Sequence, residues 1–191
     1  MVSIRAEGVA PYDSGSYNDV ENFTITDIPD NAVSRIQIYF KPDTASTRYM
    51  SRFMDSSGTN IYRYFTTVIF KSSTSIDGTY STSGTNTNND NGLLYTEDPY
   101  ENTWSYVNYT VYNYGTTSMA TVDQEWAYFE GSGSLGRQIH TSFRCANIAN
   151  GGNLSSHWVP VSQIYFAQSN FATASRSDFE YFVHVLKSTE T

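Results

Sequence analysis

The clearest pattern in the chain is alternation of apolar and polar positions. Ile36, Ile38 and Phe40 alternate with Arg35, Gln37 and Lys41. Side chains of a strand point to opposite faces with a period of two, so such a run predicts a half-buried strand. Ile139, Thr141, Phe143 and Cys145 alternate in the same way with Gln138, His140, Ser142 and Arg144. Further strands are predicted over residues 23–28, 48–54, 60–71, 103–114 and 124–129. In the 103–114 stretch Tyr109 opposes Trp104, Tyr106, Tyr112 and Tyr114. Turn chemistry separates these runs: Pro29-Asp30-Asn31, Pro42-Asp43, Asp55-Ser56-Ser57-Gly58 and Gly115-Thr116-Thr117.

The last third holds two more runs, Val161 to Phe166 and Phe179 to Leu186, separated by a polar stretch. The final run carries Phe179, Tyr181, Val183 and Val185 on one face and Phe182 and Leu186 on the other. A strand apolar on both faces is expected to be covered on both, and so to lie centrally. These runs predict an all-β fold, an antiparallel jelly-roll β-sandwich of about eight to nine strands.

Two stretches fall outside the pattern. Residues 1–20 have no sustained period and are expected to form an extended N-terminal arm, with Val2, Ile4 and Val9 as its anchors; residues 21–191 then form a single domain. Residues 72–92 are the least apolar part of the chain and predict a long exposed loop, with at most a short strand at Gly78-Thr79-Tyr80. Asn86, Asn88, Asp90 and Glu97 have a loose calcium-loop spacing. The glycine falls one place late and two of the first three ligand positions are amides, so an ordinary loop is the better reading.

Composition narrows the function. Tyr occurs 16 times among many Ser, Thr and Asn, which is a β composition. The 11 Lys and Arg stand against 19 Asp and Glu, a formal charge of −8, which argues against nucleic acid as a partner. The single cysteine, Cys145, excludes an internal disulfide, and its place on the apolar side of its run predicts an inert buried thiol. No run is long and apolar enough for a membrane helix, and no membrane partner is expected. The opening residues 1–7 lack the basic and apolar regions of a signal peptide, so synthesis in a cytoplasm without a leader is expected.

No catalytic constellation is evident. His140, His157 and His184 have no metal-ligand spacing, and there is no phosphate loop or nucleophile elbow. Glu97, Asp98 and Glu101, and Asp123, Glu125 and Glu130, read as acidic surface stretches rather than as a paired-carboxylate centre. The expectation is a non-enzymatic protein with no cofactor. Tyr95, Tyr100 and Trp104 flank the acidic turn after the longest loop. Aromatic faces beside Asn, Asp and Glu suit a sugar ring, and they equally suit a protein interface.

Three features together resemble the jelly-roll structural proteins of tailed-phage virions, found as head-decoration, tail-tip or tail-fibre components. These are the Phe23-Thr-Ile25-Thr-Asp-Ile28-Pro29 strand before Ile36-Gln-Ile38-Tyr-Phe40, the Arg52-Phe-Met-Asp-Ser-Ser-Gly58 turn, and the closing pair from Val161 to Leu186. The chain departs from the pattern in its last loop, Ser169-Asn170-Phe171, and in ending Val183-His184-Val185-Leu186. The resemblance implies a virion component, made in the bacterial cytoplasm, that contacts other virion proteins and assembles as a homo-oligomer, with a trimer favoured. The second expectation, from the aromatics, is a lectin-like module that binds a host-surface glycan.

Overall fold

In the computed structural model the alternating runs become strands, and no helix is present among the described residues. Residues 10–44, 49–59, 61–71, 76–83, 100–115, 120–128, 137–146, 159–168 and 176–188 are described, with 50, 62–71, 76–83, 137–146, 168 and 187–188 as backbone. The strands are β1 (Asp13–Val20), β2 (Asn22–Ile25), β3 (Ala32–Pro42), β4 (Tyr49–Met54), β5 (Tyr62–Lys71), β6 (Ile76–Ser83), β7 (Ser105–Tyr112), β8 (Ala120–Tyr128), β9 (Arg137–Ala146), β10 (Gln163–Gln168) and β11 (Ser177–Ser188). They form two antiparallel sheets, an eight-stranded one in the order β1-β11-β3-β7-β8-β9-β5-β6 and a three-stranded one in the order β2-β10-β4.

Two of the eleven strands among the described residues lie where none, or almost none, was expected. The last eight residues of the stretch read as an arm form β1, which pairs along β11 from Asp13–Val183 to Val20–Ser177. Val2, Ile4 and Val9 lie outside the described residues. Within the expected 72–92 loop, Ile76–Ser83 is β6, paired with β5. Neither strand has an apolar alternation of its own to announce it. Each is an edge strand, held by backbone hydrogen bonds to one neighbour. The Asn86 to Glu97 stretch with its calcium-like spacing is also outside the described residues.

The two sheets share one core. Ile36, Ile38 and Phe40 from β3, Val107, Tyr109 and Val111 from β7, and Val122 and Trp126 from β8 are fully buried. They meet Ile25, Ile164 and Phe166 from the smaller sheet in one cluster. Phe166 is the hub: the rings of Phe23, Phe40, Tyr49, Trp126 and Phe179 each stand 5.8 Å from it. Burying such a side chain stabilises by about 1.5–3 kcal/mol, and favourable ring geometry adds to that. Phe166 lies at the middle of the small sheet and Phe179 on β11, so the closing pair clamps the two layers together across the core.

The expectation that β11 is covered on both faces is not met. β11 is an interior strand, between β1 and β3, and Phe179, Tyr181 and Val183 are buried. Phe182 on its other face is only half-buried, in an edge-on contact with Tyr39 at 6.2 Å. Val185 and Leu186 are exposed, at 39% and 57%. The register slips between Val185 and Lys187, so Leu186 is the extra residue of a bulge and is turned out of the alternation.

The predicted Asp55–Gly58 turn is present. Asp55 Oδ1 accepts from the Ser57 amide (2.9 Å), the Ser57 hydroxyl (2.6 Å) and the Thr59 amide (2.9 Å), and Gly58 has φ +80°. Burial pushes the Asp55 carboxyl up, but these hydrogen bonds outweigh it and hold it below its ordinary value.

Candidate functional site

The outer face of the large sheet, on the side away from the small one, is the most distinctive surface among the described residues. Alternation puts Arg35, Gln37, Tyr39 and Lys41 of β3 on it, since Ser34, Ile36, Ile38, Phe40 and Pro42 are buried. The same argument places Tyr106, Asn108 and Thr110 of β7, Asp123 and Glu125 of β8, and Glu180, Phe182 and His184 of β11 there.

Register then decides the neighbours. Tyr39 pairs with Tyr106 on one side and Glu180 on the other, and Gln37 pairs with Asn108 and Phe182. The rings of Tyr39 and Tyr106 stand 6.2 Å apart. Gln37 Nε2 donates to Asn108 Oδ1 at 3.2 Å. Trp104 lies one position beyond the Phe40–Ser105 pair, beside Lys41, whose ammonium stands 5.6 Å from the centroid of the indole. Phe182, Tyr39 and Trp104 therefore lie on one diagonal, each step one strand over and two residues along.

The Trp104 end of the diagonal is charged. Lys41 Nζ lies 2.6 Å from Asp178 Oδ2, and its hydrogen bond to Asp178 holds the ammonium above its ordinary pKa. The same hydrogen bond from Lys41 holds the Asp178 carboxyl down, against a smaller effect of burial. Arg176 Nη1 donates to the Asp19 carbonyl (3.0 Å) and carboxylate (3.1 Å), closing the β1–β2 turn over the start of β11. Burial, then the charges of Asp178 and Asp19, push Asp43 up. The Arg176–Asp19 pair is solvent-exposed and the Lys41–Asp178 pair half-buried at the surface, so they orient side chains more than they stabilise the fold. Further along the face, burial and the charge of Glu125 raise the Tyr106 phenol.

Of the aromatics singled out in the sequence, Trp104 belongs to this face. Tyr100 is 45% exposed in the segment that leads into β7, and Asn102 in that segment donates its amide to the Pro42 carbonyl at 2.7 Å. Tyr95 lies outside the described residues. Tyr39, Tyr106 and Phe182 were not singled out. For Tyr39 and Tyr106 the signal was present, since each is a large aromatic opposite the buried face of its strand, where a polar residue is the norm, whereas the apolar second face of its run pointed Phe182 to a covering layer. His184 is half-buried on the outer face of β11. Among the described residues no three His, Cys, Asp or Glu side chains are gathered so as to hold a metal ion.

The arrangement is suited to binding: rigid strands present ring faces beside an amide pair and an ion pair. In comparisons with known proteins the chain matches no family model, no curated protein and no solved structure.

Proposed function

We propose that this chain is a non-enzymatic structural component of a tailed-phage particle, working through contacts with other virion proteins and with further copies of itself. The observation that carries this reading is an open apolar edge. β1 stops at Asp13, opposite Val183, and the Tyr12 amide donates to the Val183 carbonyl at 2.7 Å. β11 runs on to Ser188 with β3 on one side and, among the described residues, no strand on the other. Val185, Leu186 and Tyr12 are exposed there, the last two at 57%. An unpaired strand edge carrying apolar side chains favours pairing with another chain. Particle location, whether head decoration or tail fibre, and trimeric assembly belong to this proposal through the resemblance.

A jelly-roll sandwich is part of the same reading. Its support is that β2, β3, β4 and β5 alternate between the two sheets, as do β10 and β11, so successive strands wrap around the core. Strands β7, β8 and β9 instead run as a meander in the large sheet. That meander makes the two sheets unequal.

Immunogold labelling of intact particles tests the proposal. Label over the head is expected for a decoration protein and label on the tail for a fibre component; bare particles would refute a virion role. A second reading, a carbohydrate-binding module, is favoured by one observation: Trp104 stands in line with Tyr39 and Phe182 on the outer face. It predicts that Trp104→Ala removes glycan binding and leaves the fold intact.

A further inference from the structure

We infer that the diagonal of Phe182, Tyr39 and Trp104 is a binding track for an extended, uncharged oligosaccharide; this rests on the carbohydrate-binding reading and gives it a site and a ligand class. A sugar ring has an apolar C–H face and a rim of hydroxyls, so its receptor needs exposed ring faces with donors and acceptors close beside them. The outer face supplies half-buried rings in line, with donors and acceptors beside them. Phe182 and Tyr39 are carried by the adjacent strands β11 and β3, and Trp104 stands one residue before the start of β7, so the three lie on one line. A line of rings suits consecutive units of a chain, where a single ring would suit one sugar. Tyr106 widens the line at its middle, 6.2 Å from Tyr39.

Polar groups lie along the same line. Gln37 pairs in register with Phe182 and donates to Asn108 at 3.2 Å. That bond uses one N–H and one lone pair, and an amide pair has more of each to offer hydroxyls. At the Trp104 end, Lys41 and Asp178 supply a charged donor and a charged acceptor, held together at 2.6 Å. The platform is also preorganised. Ile36, Ile38, Phe40, Val107 and Tyr109 anchor the same strands from beneath with no exposed surface, so little ordering is needed when a ligand binds.

Charge separates a neutral glycan from the other occupants of a sheet face. Asp123, Glu125, Asp178 and Glu180 stand there against Arg35, Lys41 and Arg176, and the whole chain carries −8. An acidic polysaccharide or nucleic acid would be repelled. A second copy laid face to face would set the same carboxylates against one another.

The test uses the full chain on a printed array of neutral and acidic oligosaccharides, followed by calorimetric titration of the best neutral binder. Tyr39→Ala and Phe182→Ala are expected to weaken binding by roughly tenfold each, the loss of one stacking contact. Tyr39→Phe keeps the ring and is expected to restore most of the binding that Tyr39→Ala loses, while Tyr114→Ala removes an exposed aromatic off the line and is expected to bind as the parent does. Circular dichroism checks the fold of each variant, and should Tyr39→Ala fail to fold, Phe182→Ser on the solvent side decides in its place. Neutral binding that these substitutions leave unchanged would overturn the track while leaving the carbohydrate reading, with its site elsewhere. No neutral binding at all would overturn both. A concentration-dependent oligomer that Tyr39→Ala dissociates, without glycan binding, would make this face a contact between copies and overturn the track.

Discussion

The carboxamide of Asn113 does for Val161 what a neighbouring strand would do. Its Oδ1 accepts the Val161 amide at 3.0 Å, and its Nδ2 donates to the Val161 carbonyl at 2.9 Å. The same Nδ2 donates to the Pro29 carbonyl at 2.9 Å, and the Asn113 amide reaches the Ala32 carbonyl at 3.0 Å. One fully buried side chain thus joins the end of β7, the β2–β3 turn and the approach to β10. Replacing it with alanine strands several buried backbone groups at once. Asn113→Ala is expected to lower unfolding free energy by about 3 kcal/mol in urea titration, with Asn113→Asp also destabilised because it cannot donate. A loss well under ~1 kcal/mol would mean that water takes over these groups.

Two left-handed glycines should rank by their surroundings. Gly58 has φ +80° and open space where a Cβ would sit, while Gly115 has φ +62° and Asn31 Oδ1 only 2.6 Å from that position. Gly58→Ala is expected to cost ~1 kcal/mol from backbone strain alone, and Gly115→Ala distinctly more. Equal costs in thermal unfolding would show that Asn31 moves aside freely.

Gly15 answers to sterics instead. A Cβ there would lie 2.5 Å from Cε1 of Tyr181, whose ring lies over β1 and whose hydroxyl donates to Asp13 Oδ2 at 3.0 Å. Gly15→Ala should lift β1 from β11. Hydrogen exchange would then show lost protection confined to Asp13–Val20, and unchanged protection there would refute the close fit.

Alkaline stability follows from the same tyrosine. Burial, then the hydrogen bond to Asp13 and its charge, push Tyr181 up to about 12. An unfolded tyrosine ionises near 10, so the unfolded chain loses its proton first as pH rises. The stabilisation is complete below pH ~10 and is lost as pH climbs toward the folded value. Burial raises Tyr109 still further, against a hydrogen bond from its hydroxyl to Ser51 at 2.9 Å. Tyr181→Phe should therefore flatten the fall in stability between about pH 10 and 12 without abolishing it. An unchanged slope would assign the whole effect to other tyrosines.

The register of β3 carries its own check. Ile38 has no exposed surface, while Gln37 beside it faces outward. Ile38→Ala is expected to cost ~2–5 kcal/mol and Gln37→Ala far less. The reverse order would mean a slip of one residue, which exchanges the two faces of a strand.

Much of this was legible in the sequence, because alternation states directly which side chains turn inward. Ile36, Ile38 and Phe40, the opposition of Tyr109 to Trp104, Tyr106 and Tyr112, the Asp55–Gly58 turn and the all-β class all follow from a period of two and from turn residues. Strands β1 and β6 were not legible, because an edge strand rich in Ser, Thr and Gly is held by its neighbour's backbone and needs no apolar face. Phe182 and Leu186 misled for a related reason: two apolar faces suggested two covering layers, whereas one residue joins a half-buried aromatic line and the other sits on a bulge. The partner of each strand, the bridge from Asn113 to Val161 and the alignment of Phe182, Tyr39 and Trp104 were decided by tertiary structure alone. Periodicity assigns a residue to a face, but hydrogen-bond pairing between segments far apart in the chain decides which residues on that face become neighbours.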